Sequence, residues 1–216
     1  GTATARPALP APGAPVLRRI AFPGAPQTVV RLGMRIPGPA DPDFVAFSVA
    51  NALLGGGLPS RITSNLRERH GYAYSPSTSA VPQLQGSHWL LDAEVTTEHT
   101  ADALREAMTE IRRLRDEPPP AAELEGIRNF RAGLFVIRNS TPQGLIGQLA
   151  FRDLYGLPAD YLARQVARIR AVTPEQVSDV LKRWLDPRQL SLVVVGEPAT
   201  VDNQVPALPG EGPQPQ

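Results

Sequence analysis

Apolar and polar positions alternate with two different periods along this chain. Val30, Leu32, Met34 and Ile36 alternate with Arg31, Gly33 and Arg35. A period of two puts one set on a dry face and predicts a half-buried strand. Ser87, Trp89, Leu91, Ala93 and Val95 alternate with the mostly polar set His88, Leu90, Asp92 and Glu94, which predicts a second strand. Tyr74 to Val81 is its expected partner, joined through a turn at Gln85-Gly86. Leu190 to Val195 is a short apolar run ending at Gly196 and reads as a buried strand, and Val16 to Phe22 as a further one.

The other stretches carry helical spacing. Phe44 to Leu54 is apolar almost all round, so it belongs in a core, and Gly55-Gly56-Gly57 stops it. Ser60 to Arg69 reads as a short polar helix. Leu104, Met108, Ile111 and Leu114 mark another helix, and Leu124, Ile127, Leu134 and Ile137 the next. Thr141-Pro142 is an N-cap with proline at the first helical position. Thr173-Pro174-Glu175-Gln176 adds a capping box, ahead of a core face made by Val177, Val180, Leu181 and Trp184. The order is strand, helix, helix, two strands, a run of helices, strand. It defines an α+β class: a largely antiparallel sheet with helices packed on one face.

Composition bounds this picture. The chain has 216 residues, enough for a core without staples, and no cysteine, which excludes disulfides, thiolate zinc sites and a cysteine nucleophile. Net charge is +1 and no basic stripe occurs, so no nucleic-acid partner is expected. No apolar run approaches the roughly 20 residues of a membrane helix, so no membrane partner is expected either. Prolines crowd both ends: of 24, nine fall in residues 1–42 and five in 198–216. Residues 1–15 are expected to be a proline-rich linker, 16–197 a single domain and 198–216 a flexible tail. The start at Gly1 inside such a linker reads as a piece of a longer chain. The absence of a signal peptide therefore leaves the compartment open, with the periplasm favoured over the cytoplasm.

Several candidate chemistries fall away. The triple glycine follows an apolar helix rather than a strand, and no Gly-Lys-Ser/Thr follows it, so it is a helix stop and not a phosphate loop. No Gly-x-Ser-x-Gly elbow occurs. Asn139-Ser140-Thr141 is a glycosylation sequon that helix capping explains equally well. His70, His88 and His99 fall in a polar loop, mid-strand and at a helix start, with no two at i and i+4. Val95-Thr96-Thr97-Glu98-His99 lacks the first histidine of His-x-x-Glu-His. This chain is expected to bind no catalytic metal by itself.

The stretch Leu53 to Ser75 is the unusual one: an apolar helix end, three glycines, Leu58-Pro59-Ser60-Arg61-Ile62, then Leu66-Arg67-Glu68-Arg69-His70-Gly71-Tyr72-Ala73-Tyr74-Ser75. It resembles the C-terminal, non-zinc domain of the insulinase/pitrilysin zinc metallopeptidases, in the branch of mitochondrial processing peptidase and its bacterial two-subunit relatives. Asp116 to Glu125, Leu154-Tyr155-Gly156, Ala171-Val172-Thr173 and Leu192 to Gly196 agree with the same family, so the resemblance covers roughly residues 16–197. It implies a clam-shell hydrolase in which two halves close on a peptide, with zinc on a His-x-x-Glu-His helix of a homologous partner domain or subunit.

The resemblance further implies that Arg67 and Tyr74, seven residues apart, hold the substrate near the scissile bond. Tyr74 would donate to the oxyanion and Arg67 would anchor a peptide carbonyl, with Gly71 allowing the turn between them. Three departures stand out. Pro59 replaces a usual serine, Tyr72 offers a second tyrosine where an aliphatic residue is common, and Pro76 cannot donate to a central ladder, so its strand should be an edge. The rival readings are an inactive scaffold of the same fold, as in respiratory-complex core subunits, and an unrelated peptide-binding module.

Overall fold

In the computed structural model, which describes residues 9–11, 13–205 and 207, the two long alternating stretches lie side by side at the centre of a five-stranded sheet. The strands are β1 (Leu17–Ala21), β2 (Gln27–Arg35), β3 (Ser77–Val81), β4 (His88–Thr96) and β5 (Ser191–Gly196), in the order β1-β5-β2-β4-β3. All pairings are antiparallel except β1 with β5, which is parallel. The register sets Leu32 opposite both Leu91 and Leu192, so one face carries Val30, Leu32, Trp89, Leu91 and Val194, all buried. The other face is wetter and carries an exposed Arg31–Asp92 ion pair at 3.1 Å. One dry face needs one helical layer, and the helices supply it.

The layer is made by α1 (Phe44–Leu54), α2 (Arg61–Thr63), α3 (Thr100–Asp116), α4 (Ala121–Arg138), α5 (Pro142–Leu154), α6 (Tyr161–Ala171), α7 (Pro174–Trp184) and α8 (Pro198–Gln204). The α+β architecture read from the sequence is the observed one. α1 is buried nearly all round, as its composition requires. Its start is tied to α7, where the Asp43 carboxylate accepts from Arg183 Nε at 2.8 Å and Nη2 at 2.9 Å and from Trp184 Nε1 at 2.8 Å. The triple glycine stops α1 because the backbone passes very close to its neighbours. A Cβ on Gly55 would stand 2.6 Å from the Thr78 side chain, and one on Gly56 2.8 Å from Ala52 Cα.

The capping box at Thr173 is present in full: Thr173 Oγ1 accepts from Gln176 N at 3.3 Å and Gln176 Oε1 accepts from Thr173 N at 3.0 Å. Thr173→Ala is expected to lower stability by about 1 kcal/mol, read as a lower urea midpoint with an unchanged slope.

Three expectations need correcting. The strand expected from Tyr74 starts at Ser77, because Tyr74 and Ser75 lie in a loop after an isolated bridge between Ala73 and Val95. The polar helix expected over 60–69 is one α turn followed by a π-helical stretch, Ser64–Arg69. Residues 198–204, expected as tail, form α8, which buries Val201 and is followed by buried Val205. Most of the expected linker over 1–15 and of the tail beyond 205 lies outside the described residues.

Candidate functional site

The π-helical stretch has its cause in contacts with α3. Asn65 is buried, and its amide nitrogen donates to Glu106 Oε2 and to Glu110 Oε1 on α3, both at 3.0 Å. Leu66 is buried beside it, so the turn is pinned by its inner face. The chain then unwinds one residue wide: His70 N reaches Asn65 O at 3.1 Å, and Tyr72 N reaches Leu66 O at 2.8 Å. Such bulges re-aim the residues that follow them. Arg61 secures the start of the segment through a bidentate pair with Glu123 on α4, both contacts at 2.8 Å. The hydrogen bonding to Glu123 holds the Arg61 guanidinium above its ordinary pKa, against the opposing effect of burial.

Gly71 then reverses the chain at φ +66°, in the left-handed region. A Cβ there would meet nothing within 4 Å, so the requirement for glycine is conformational rather than steric. Beyond it the two tyrosines take different roles. The Tyr72 ring lies between two imidazoles, 4.9 Å from His70 and 4.6 Å from His99, while its carbonyl accepts from Thr96 N at 2.9 Å. Tyr74 is 75% exposed, with the Arg67 guanidinium carbon 4.9 Å above its ring centre. No described residue hydrogen-bonds its phenol. Arg67 also pairs with Glu68 at 3.1 Å. The structure therefore brings together Arg67 and Tyr74, on either side of the Gly71 turn.

Histidines that the sequence disperses are also brought together, on the two faces of Tyr72. They do not make a metal centre. His70 Nε2 stands 3.9 Å from Glu106 and His99 Nδ1 3.8 Å from Asp102. Among the described residues no group of three or more His, Asp or Glu is placed to hold a metal ion. The residues present do not fit zinc. Metal analysis of the purified chain is expected to find less than stoichiometric zinc, and one tightly held zinc per chain would overturn this.

The outer edge of β3 is largely closed. Thr78 N donates to Gly55 O at 2.8 Å and Thr78 O accepts from Asn51 Nδ2 at 3.3 Å, so both outward groups are taken. Pro76 has no N–H, and its carbonyl accepts from Thr63 Oγ1 at 3.1 Å. An incoming strand finds no ladder over 76–78, although Pro76 does lie beside an edge strand as expected. Asn51 is the residue that sequence reasoning passed over. A lone amide one turn before the glycine stop of an apolar helix was the available signal.

The sheet order and one-sided helical roof recur in solved structures. A crystal structure of a peptidase M16 inactive domain from Pseudomonas fluorescens superimposes with a TM-score of 0.85 at 25% identity, over 91% of this chain and 47% of that one. A protease from Helicobacter pylori superimposes with a TM-score of 0.79 at 19% identity, over 86% and 45%. A family profile described as the peptidase M16 inactive domain matches residues 3–130, and the chain belongs to that family. Uncharacterized zinc proteases of Mycobacterium tuberculosis and Mycobacterium bovis are 28% identical over 173 residues, which is 80% of this chain and 39% of theirs. The chain thus spans about two fifths of the length of these curated relatives.

Proposed function

We propose that this chain is the non-zinc domain of a two-part zinc metalloendopeptidase, and that Arg67 and Tyr74 meet the peptide substrate. The observation that carries the reading is the solvent-facing pair itself: a phenol with no partner among the described residues, stacked under an arginine. Stacking on the Tyr74 ring and the pairing of Arg67 Nε with Glu68 hold the guanidinium in place, and its two Nη groups remain to meet a peptide carbonyl. The phenol O–H can donate to an oxygen that gains charge as a tetrahedral intermediate forms, at a metal centre on a companion domain. The closed edge at 76–78 favours capture of the substrate by these side chains rather than by addition of a strand to β3.

The relatives' remaining length is where a companion domain would lie. A surface for it is available on α4 and α5, where Val136, Ile137, Ile146 and Leu154 are each more than half exposed and no residue of α5 is buried. Apolar exposure of this kind marks an interaction face. The test is reconstitution. The chain alone and a zinc-bearing companion alone should each be inactive toward a quenched-fluorescence peptide, and activity should appear on mixing. Ile146→Glu should raise the concentration needed for it. A companion that cleaves at the full rate alone would refute the reading.

A second reading has one observation in its favour. A chain of complex III2 from Candida albicans shares the fold at a TM-score of 0.74 and 16% identity, so the fold also occurs in an assembly that is not named as a protease. A scaffold would not depend on the Arg67–Tyr74 pair, and substitution there separates the two.

A further inference from the structure

A cavity of about 360 Å³ lies between α1, β3 and the helices α4, α5 and α6, and none of Arg67, Gly71 or Tyr74 lines it. Its charge is one-sided: Arg131 and Arg138 line it, and no Asp or Glu does. Arg131 is largely buried. Its Nη2 donates to Ser48 Oγ, its Nε is buried without a partner, and no carboxylate among the described residues forms an ion pair with it. Gln165 Oε1 in the same lining is also buried and unpartnered. Burial, and then the like charge of Arg138, pulls the Arg131 guanidinium below its ordinary pKa, and burial pushes the Tyr161 phenol up.

Buried cations are ordinarily paired, because an unpaired charge away from water is costly. Here the counter-charge is missing from the lining, and the open volume lies where it would sit. The rest of the lining narrows the anion. Most of the lining surface is polar, but Phe44, Phe135 and Phe151 add an apolar side that a bare inorganic ion would leave uncovered. Ala80, also in the lining, alternates with Thr78 along β3, so its backbone N–H and C=O face away from β4, beyond the closed stretch.

We propose that this cavity binds the free C-terminal carboxylate of a peptide whose last residue is apolar, with the carboxylate on Arg131 and Arg138, the terminal side chain among the phenylalanines and the peptide backbone against Ala80. A planar carboxylate suits a forked guanidinium. The proposal does not depend on the Arg67–Tyr74 reading, and its test reads no peptidase activity, so the two fail separately.

The test is calorimetric titration of the 216-residue chain with three probes: N-acetyl-leucyl-phenylalanine with a free carboxylate, its C-terminal amide, and inorganic phosphate. The acid should bind, and the amide should bind at least roughly tenfold more weakly, the loss of one charge-assisted contact. Arg131→Met should abolish binding of the acid and raise the melting temperature of the ligand-free chain, since it removes an unpaired buried charge. Arg138→Gln, at the exposed side, should weaken binding with the melting temperature unchanged, and serves if Arg131→Met does not fold. No binding of the acid, or equal binding of acid and amide, overturns the proposal. Phosphate binding as tightly as the acid would make this an inorganic anion site only, which also overturns it. A lower melting temperature in a folded Arg131→Met chain would show that the arginine is structural.

Discussion

Replacing Tyr74 by phenylalanine, with the zinc-bearing companion supplied, is expected to lower turnover by about 10²–10³-fold, the usual effect of losing one oxyanion donor. The substitution removes one hydroxyl and almost no packing, because Tyr74 is 75% exposed and its ring is held from above by Arg67. The apparent affinity for peptide should change little, since the interaction strengthens only as charge develops. Arg67→Ala should weaken peptide binding as well, because its donors meet a carbonyl already present in the ground state. It also removes the cation over Tyr74, so part of its effect should appear in turnover. Tyr72→Phe is the control and should be nearly silent, because the ring keeps its place between His70 and His99 without its hydroxyl. Steady-state kinetics of the three variants decide the matter. Loss of turnover in Tyr72→Phe but not in Tyr74→Phe would move the role to Tyr72 and overturn the assignment to Tyr74, and normal cleavage by all three would favour the scaffold.

The parts of this fold that the sequence made legible are those fixed by contacts near in sequence or by strict period. The dry faces of β2 and β4, the buried α1 with its glycine stop, and the capping box at Thr173 are of this kind. The parts that were not legible depend on partners far along the chain. The π-helical turn arises because Asn65 is held by Glu106 and Glu110, some 40 residues later. β3 starts only at Ser77 because the chain leaves the sheet through Tyr74 and Ser75 after the isolated Ala73–Val95 bridge, and its outer side at Thr78 is then held by Gly55 and Asn51. Helix α8 sits in a proline-rich stretch whose composition masks Val201 and Val205, four apart and both buried. The site divides the same way. The seven-residue spacing of Arg67 and Tyr74 was visible, but their stacking required the π turn and the left-handed Gly71 together. The unpaired charge of Arg131 was not visible at all, since nothing local says whether an arginine has found a carboxylate.

Asn51→Ala is expected to be the most destabilising single change outside the apolar core, by about 2–6 kcal/mol, from two buried groups left unpaired at roughly 1–3 kcal/mol each. Asn51 Oδ1 accepts from the indole Nε1 of Trp89 at 2.9 Å, and Trp89 is fully buried, so the change leaves an indole N–H without its protein partner. Asn51 Nδ2 donates to Thr78 O, the contact that closes the β3 edge next to the Tyr74 loop. One side chain thus joins α1, β4 and β3. A loss of this size is a large share of the 5–15 kcal/mol that holds a typical domain together. The physical claim is about unpaired polar groups rather than volume, and a double-mutant cycle separates the two. Trp89→Phe alone leaves Asn51 Oδ1 without its donor, and Asn51→Leu alone leaves the indole N–H bare. The double variant removes both partners of that bond. Urea unfolding should find the double variant less destabilised than the sum of the singles by about 1–3 kcal/mol. Strict additivity would mean that Asn51 acts through packing alone, and the bracket between α1 and the sheet edge would have to be assigned to Gly55 and Thr78 instead.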